Sequence, residues 1–219
     1  MVLLLPYNPP LEPWLEILHK DEDILVLNKQ PGLLSVPGRT EEKQDCLATR
    51  VQAQYTGARI VHRLDMETSG VIIMARHMDA LRNLGRQFED RLTEKTYEAR
   101  VYGRMGADEG EVDLPMAFDY PNRPKQKVCF ETGRRALTLY KVIEREANAT
   151  RVALYPVTGR SHQLRVHMLS LGHPILGDNL YAEGDALEAA PRLQLHAKTL
   201  TLRHPETAEM LTFEAPVPF

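Results

Sequence analysis

The stretch Val61 to Gly70 reads VHRLDMETSG and runs without a break into the apolar VIIMA of Val71 to Ala75. This junction constrains the chain more than any other. A short apolar run after turn-formers predicts a buried strand. The polar residues before it are His62, Arg63 and Asp65, then Thr68, Ser69 and Gly70. They read as a loop whose end is fixed by a core strand, and rigidly held loops are where scaffolds present chemistry. The same letters also describe a turn with an Arg–Asp pair, and short motifs alone have real false-positive rates.

Elsewhere the patterning mixes strands with helices. Trp14 to Leu18 is extended, Asp21 to Asp23 turn, and Ile24 to Leu27 form a strand. Asn28 to Gly38, NKQPGLLSVPG, carries two Pro-Gly turn signals. Asp45 is the expected N-cap of a helix to Tyr55, with Leu47, Val51 and Tyr55 on one face and Gly57 beyond its end. Asp79 is the expected cap of a second helix, with Leu81, Leu84, Phe88 and Leu92 as its apolar stripe. Lys95 to Gly103 alternates like a strand, and Leu137 to Ile143 with Arg151 to Val157 reads as a hairpin. Gln163 to Leu171 is a short helix stopped by Gly172. Arg192 to Leu202 is extended, and MLTFE near the C-terminus is a short strand.

The chain has 219 residues, 43% of them hydrophobic and 26% charged, which suits one domain or a compact pair of lobes. No apolar run is long enough to span a membrane. The opening MVLLLPYNPP lacks a basic region and is not read as a signal peptide. Cys46 and Cys129 form no CxxC, and a reduced cytoplasmic setting is the simplest fit. The formal net charge is −3, yet between positions 120 and 170 basic residues outnumber acidic ones by ten to three. A localised positive face attracts phosphates whatever the total charge. Its centre is Pro121 to Lys127, PNRPKQK, where Arg123, Lys125 and Lys127 would share one face if the run were extended. His162 and His167 are too poorly spaced for a zinc site and lack a third ligand. There is no P-loop and no dinucleotide fingerprint, so neither metal nor cofactor is expected.

VHRLDMETSG resembles the HRLD-x-x-TSG signature of the RluA family of RNA pseudouridine synthases. Three further runs resemble family motifs in the same order. NKQPGL, from Asn28, is similar to NKPxGL, with Gln30 where Pro is usual. KTYEARV, from Lys95, is similar to the family's K-x-Y-x-A-x-V strand. GRSHQLRVH, from Gly159, is similar to G-R-x-H-Q-[LI]-R-x-H, followed by HPILGDNLYA from His173. The resemblance covers nearly all of 1–219 as a single catalytic domain, with no room for an accessory N-terminal RNA-binding domain. It implies an α/β (α+β) fold with a mixed, mainly antiparallel sheet, flanking helices and an active-site cleft.

The resemblance implies isomerisation of chosen uridines in structured RNA, in the tRNA anticodon loop and a 23S rRNA stem-loop. The catalytic residues it implies are Asp65, Tyr97 and Arg165. Asp65 is the reactive carboxylate, as nucleophile or as base; the residues allow either. Arg165 orients Asp65 and favours its ionised form, a task for a permanently charged fork. Tyr97 stacks on the base, and Leu164 packs on the other side. Arg63 fills the gap left by the flipped-out uridine, with His62 and Arg160 also at the RNA. The expected partner is RNA, and the enzyme is expected to be a cytoplasmic monomer. The rival class is a non-catalytic RNA-binding or chaperone module of the same fold, which has no need for the Asp65, Tyr97 and Arg165 set. A nucleoside glycosidase is a third reading, told apart by release of free base.

Overall fold

A computed structural model of the chain describes residues 7–219. The opening MVLLLP, part of the start read above as no signal peptide, lies outside the described residues. The chain divides into two compact units. One holds the residues up to Thr93 and then Thr199–Pro216; the other holds Glu94–Lys198 and Val217–Phe219.

In the first unit the chain forms β1 (Ile17–Lys20) and returns as β2 (Ile24–Lys29). The turn closes because Asp21 Oδ1 accepts the backbone N–H groups of Asp23 and Ile24, a local bond that aspartate favours. There follow α1 (Leu47–Gln54), β3 (Arg59–Ile60), β4 (Ser69–Ala75) and α2 (Met78–Glu89). β2 pairs antiparallel with β1 on one side and with β4 on the other. Every residue of β4 is buried, as the VIIMA run requires. Ile24, Val26, Val71 and Ile73 share a core with Ala80 and Leu84 of α2. Burying one such Ile or Leu stabilises the fold by roughly 1.5–3 kcal/mol.

Both helix starts differ from the expected caps. α1 is capped by Cys46, whose Sγ accepts the Thr49 N–H while Thr49 Oγ1 accepts the Cys46 N–H. Asp45 instead grips Arg50 through two bonds of 2.7 Å. Arg50 is buried, donates to the Pro10 carbonyl and lies 4.1 Å over the Trp14 ring. A charged bidentate pair is stronger than a cap to one N–H, so Asp45 goes to the guanidinium. Hydrogen bonding to Arg50 holds the Asp45 carboxyl below its usual range. α2 is capped by His77, whose Nδ1 accepts the Ala80 N–H, and Asp79 pairs with Arg82 within the first turn. Leu92 lies beyond the helix end and is exposed, so the apolar stripe stops at Phe88.

The second unit is built from β5 (Glu94–Tyr102), β6 (Glu109–Asp113), β7 (Met116–Phe118), β8 (Gln126–Val128), β9 (Leu137–Arg145) and β10 (Ala149–Pro156). α3 (Gln163–Ser170), α4 (Gly184–Glu188) and the start of β11 (Leu195–Arg203) complete it. β10 lies between β5 and β9, β6 pairs with β9, and all three pairings are antiparallel. Ala99, Val101, Val152, Leu154, Leu164 and Met168 share its core. Glu98 breaks the alternation of β5 by being buried, and it is satisfied by Arg151 at 2.7 Å and Lys198 at 3.3 Å. β7 and β8 form a separate two-stranded hairpin. In the first unit, Thr199–Arg203 of β11 pairs antiparallel with β12 (Met210–Glu214). The mixed α/β class and the predominance of antiparallel pairing match the expectation.

Asp21, Asp23 and His204 bring possible metal ligands within 4.8 Å of one another. Their bonding is that of a structural hub. His204 Nδ1 accepts N–H groups from Glu206 and Thr207, so its proton sits on Nε2, 3.3 Å from Asp21. His19 and His77 hold the same two carboxylates at 2.7 and 2.8 Å. A metal would need the Nε2 lone pair that this network keeps protonated.

Candidate active site

In the first unit the Asp65 loop is tied down on every side. Leu64 is buried, and the Ser35 hydroxyl both donates to its carbonyl at 2.7 Å and accepts its N–H at 3.1 Å. The Met66 carbonyl accepts the Gly32 N–H at 2.9 Å and the Lys29 ammonium at 2.9 Å. Lys29 is 1% exposed and also donates to the carbonyls of Gln30 and Leu33 at 2.8 and 2.7 Å. Its role is therefore structural: it fastens the NKQPGL segment to the loop. The Thr68 N–H closes a turn on the Asp65 carbonyl at 3.1 Å, and Thr68 and Ser69 are buried where β4 begins.

The loop residues then divide. Arg63 is exposed, and Asp65 is half-buried between the buried Leu64 and the turn. His62 packs within the unit. Its ring stacks on Phe88 at 4.5 Å, and Nε2 accepts the Ile73 N–H at 3.2 Å, which requires that nitrogen to be unprotonated.

In the second unit the GRSHQLRVH run sets the pose of α3. Gln163 is buried and fully used. Its Oε1 accepts the Thr158 hydroxyl and the Arg160 N–H, while Nε2 donates to the Leu137 carbonyl and Thr138 Oγ1. His167 is buried one turn on, with Nδ1 2.9 Å from the Thr138 hydroxyl and Nε2 3.3 Å from the Leu114 carbonyl. Burial pushes its pKa below the usual histidine value. Two of the motif's polar residues therefore dock the helix on β9, and the register places Leu164 and Arg165 between them.

Arg165 is held by Asp178 through Nε–Oδ2 at 2.8 Å and an Nη2–Oδ1 bond of 2.6 Å, with both side chains buried. The Tyr181 ring lies 5.1 Å from the guanidinium carbon. Asp178 Oδ1 also accepts the N–H groups of Leu180 and Tyr181, which fixes the carboxylate before it meets the arginine. Tyr97 on β5 packs against the core cluster that contains Leu164, so the expected aromatic and its apolar neighbour share one cluster. His162, at the start of α3, adopts left-handed backbone with φ 55° and puts Nδ1 2.6 Å from the Tyr181 hydroxyl. That hydroxyl accepts the Gln126 N–H at 2.7 Å, tying β8 to the segment after Asp178.

The basic run Pro121–Lys127 is not extended, so the three cations do not share a strand face. Tyr120–Asn122 form a 3₁₀ turn and β8 starts at Gln126. Asn122 donates to Asp119 through both backbone and side chain, and the Lys125 N–H returns to the Asn122 carbonyl. Arg123 sits at the exposed tip, Lys125 lies 5.9 Å over the Tyr181 ring, and Lys127 is on β8, 3.9 Å from Asp119. Arg160 is half-buried and donates to the Arg135 carbonyl at 3.2 Å.

Sequence reading missed Asp178, Tyr181 and the docking roles of Gln163 and His167. The signal for Asp178 was available: a buried guanidinium needs a carboxylate within its own fold, and the Asp of HPILGDNLYA follows Arg165 by 13 positions.

Comparison with known proteins shows the family. Residues 23–170 match the family model described as RNA pseudouridylate synthase. The chain is 59% identical to the dual-specificity RNA pseudouridine synthase RluA of Salmonella typhi, over 97% of this chain and 98% of that protein. It is 58% identical to the Escherichia coli K12 protein of the same name over the same shares, and 52% identical to that of Pasteurella multocida over 99% of each. Human RNA Pseudouridylate Synthase Domain Containing 1 superposes with a TM-score of 0.80 at 30% identity, over 97% of this chain and 86% of that one. On the family model that covers residues 23–170 and the identity to these relatives over nearly its full length, the chain belongs to the RNA pseudouridylate synthase family.

Proposed function

We propose that this enzyme converts uridine to pseudouridine at two kinds of RNA site, a tRNA anticodon loop and a 23S rRNA stem-loop. The observation that carries the reading is the near full-length match to relatives named as dual-specificity RNA pseudouridine synthases. The reaction breaks N1–C1′, turns the base and forms C5–C1′. C5 loses a proton and N1 regains one, so no co-reactant is needed.

Asp65 is the reactive carboxylate, acting as nucleophile at the sugar or as base towards it. Its support is a loop fixed by Ser35 and Lys29, since positioning is what turns a common side chain into a catalyst. Arg165, held rigid by Asp178, is the cation that orients the carboxylate. Tyr97 stacks on the flipped base and takes the C5 proton, with Leu164 on the far side. Flipping the uridine costs a few kcal/mol, and exposed Arg63 refills the gap. His62, through its stack on Phe88, keeps the loop in place for the RNA. Arg123, Lys125, Lys127 and Arg160 contact phosphates. On the resemblance, the enzyme is proposed to act as a cytoplasmic monomer. No helix among the described residues is long and apolar enough to cross a membrane.

The test is to map pseudouridines in total RNA from cells with and without the gene, then repeat the reaction on the two stem-loops with purified enzyme. Loss of one site in each RNA class, restored in vitro, is the expected result. Loss in neither class rejects the assignment.

A further inference from the structure

Tyr120 and Phe130 are the two most exposed aromatic side chains among the described residues, at 68% and 78%. Both belong to the segment Met116–Arg135 that forms and follows the β7–β8 hairpin. That segment carries five cations (Arg123, Lys125, Lys127, Arg134 and Arg135) against the two carboxylates of Asp119 and Glu131. An aromatic ring left in water inside a cationic segment suits a partner with flat π-faces and negative charge. Single-stranded nucleic acid has both.

Tyr120 is the better prepared of the two. The Phe118 ring meets it edge-on, centroids 4.9 Å apart at 86°, and the Arg123 guanidinium lies 5.1 Å from the Tyr120 centroid and 5.7 Å from that of Phe118. The hairpin beneath is pinned by the Asn122–Asp119 bonds and by the Gln126 N–H to Tyr181. The ring is thus braced before any ligand arrives, and little side-chain freedom remains to be lost on stacking. A paired base in a continuous duplex hides its faces, so the ligand must be an unpaired nucleotide.

We infer that Tyr120, braced by Phe118 and Arg123, is a stacking post for an unpaired base of the RNA, distinct from the uridine that reacts. The assignment rests on the RNA substrate class proposed above. It makes the hairpin tip a reader of loop nucleotides, whereas its lysines sense only the backbone charge.

The experiment measures binding and single-turnover rate for the full-length wild type, Tyr120→Leu and Tyr120→Phe. The probes are an anticodon stem-loop RNA and a fully paired duplex of the same stem. Tyr120→Leu is expected to weaken stem-loop binding about tenfold, the effect of losing one base–aromatic stack. Its salt slope, its duplex affinity and its rate at saturating RNA should stay those of wild type. Tyr120→Phe keeps the ring and should bind within twofold of wild type. Equal stem-loop affinity in Tyr120→Leu and wild type overturns the post. So does a loss in Tyr120→Phe as large as in Tyr120→Leu, which would assign the effect to the hydroxyl. Wild-type turnover of the stem-loop separates the two levels. If wild type reacts and Tyr120→Leu binds normally, only the post is wrong; if wild type neither binds nor reacts, the substrate reading fails with it.

Discussion

Arg165 and Asp178 face each other through two parallel hydrogen bonds of 2.8 and 2.6 Å, with both side chains closed off from solvent. Asp178→Ala would leave the guanidinium charge buried without this partner. Breaking such a pair costs about 3–5 kcal/mol, which corresponds to a fall in melting temperature of roughly 10 °C for a chain of this length. Turnover should fall as well, because the arginine loses the bidentate grip that aims it. A thermal melt within 2 °C of wild type would show that the pair does not hold the segment.

Asp65→Asn should abolish isomerisation and leave RNA affinity nearly intact. The amide fits the same space in a loop whose main chain is fixed by Ser35 and Lys29. Turnover within tenfold of wild type would remove Asp65 from its proposed role.

Tyr97→Phe keeps the ring packed on the Leu164 cluster and loses the hydroxyl. The expected result is cleavage of the glycosidic bond followed by a stall, seen as RNA held in an intermediate that does not become pseudouridine. Full activity in this variant would leave Tyr97 a packing residue.

Changing Arg123, Lys125 and Lys127 together to Gln should raise the apparent Kd and flatten its salt dependence. Each phosphate that the protein no longer neutralises lowers the slope by roughly 0.7 to 0.9. The single-turnover rate at saturating RNA should hold. The three cations sit in different local settings, so single changes should be unequal. Lys127, 3.9 Å from Asp119, is expected to contribute least. An unchanged slope in the triple variant would reject the positioning role.

His167 gives a pH dependence with a definite sign. Burial depresses its folded pKa. Above about pH 6.5 both folded and unfolded forms are neutral. Below that, the unfolded chain binds a proton that the native site resists, so stability falls as pH drops from about 6.5 towards the depressed value. His167→Gln should remove this slope. Melting curves of the two proteins at pH 7.5 and 5.5 check it, and identical slopes would exclude His167 as the source.

The parts of the fold visible in the sequence are those where apolar periodicity is strong. VIIMA, the alternation of Lys95–Gly103 and the Leu137/Arg151 hairpin all became strands. β6 was not visible because Glu109–Asp113 has one buried apolar residue, Val112, and pairs as an edge strand. β7 and β8, three residues each, are too short to show a period. The caps went astray for a different reason. Aspartate is a statistical favourite at N-cap, but Asp45 had a buried arginine within reach and His77 stood two residues ahead of Asp79. In the site, Asp65, Tyr97 and Arg165, the residues proposed for the chemistry, stood out through their motifs. Ser35 and Gln163, which hold those segments, did not, because polar burial is a property of the fold and leaves no pattern along the chain; Asp178 was reachable only through the need of a buried Arg165 for a carboxylate.

Lys29 has a consequence for how the enzyme feels its solution. Its ammonium sits among the carbonyls of Gln30, Leu33 and Met66 much as a dehydrated monovalent cation sits among carbonyl ligands, tethered by its own side chain one residue away from Asp65. Mobile ions cannot gather around a charge enclosed in this way, whereas they crowd readily around Arg63 or Arg123. Ionic strength therefore acts on the two kinds of positive charge separately. Salt should loosen the hold on RNA and leave the field within the reactive loop as it was.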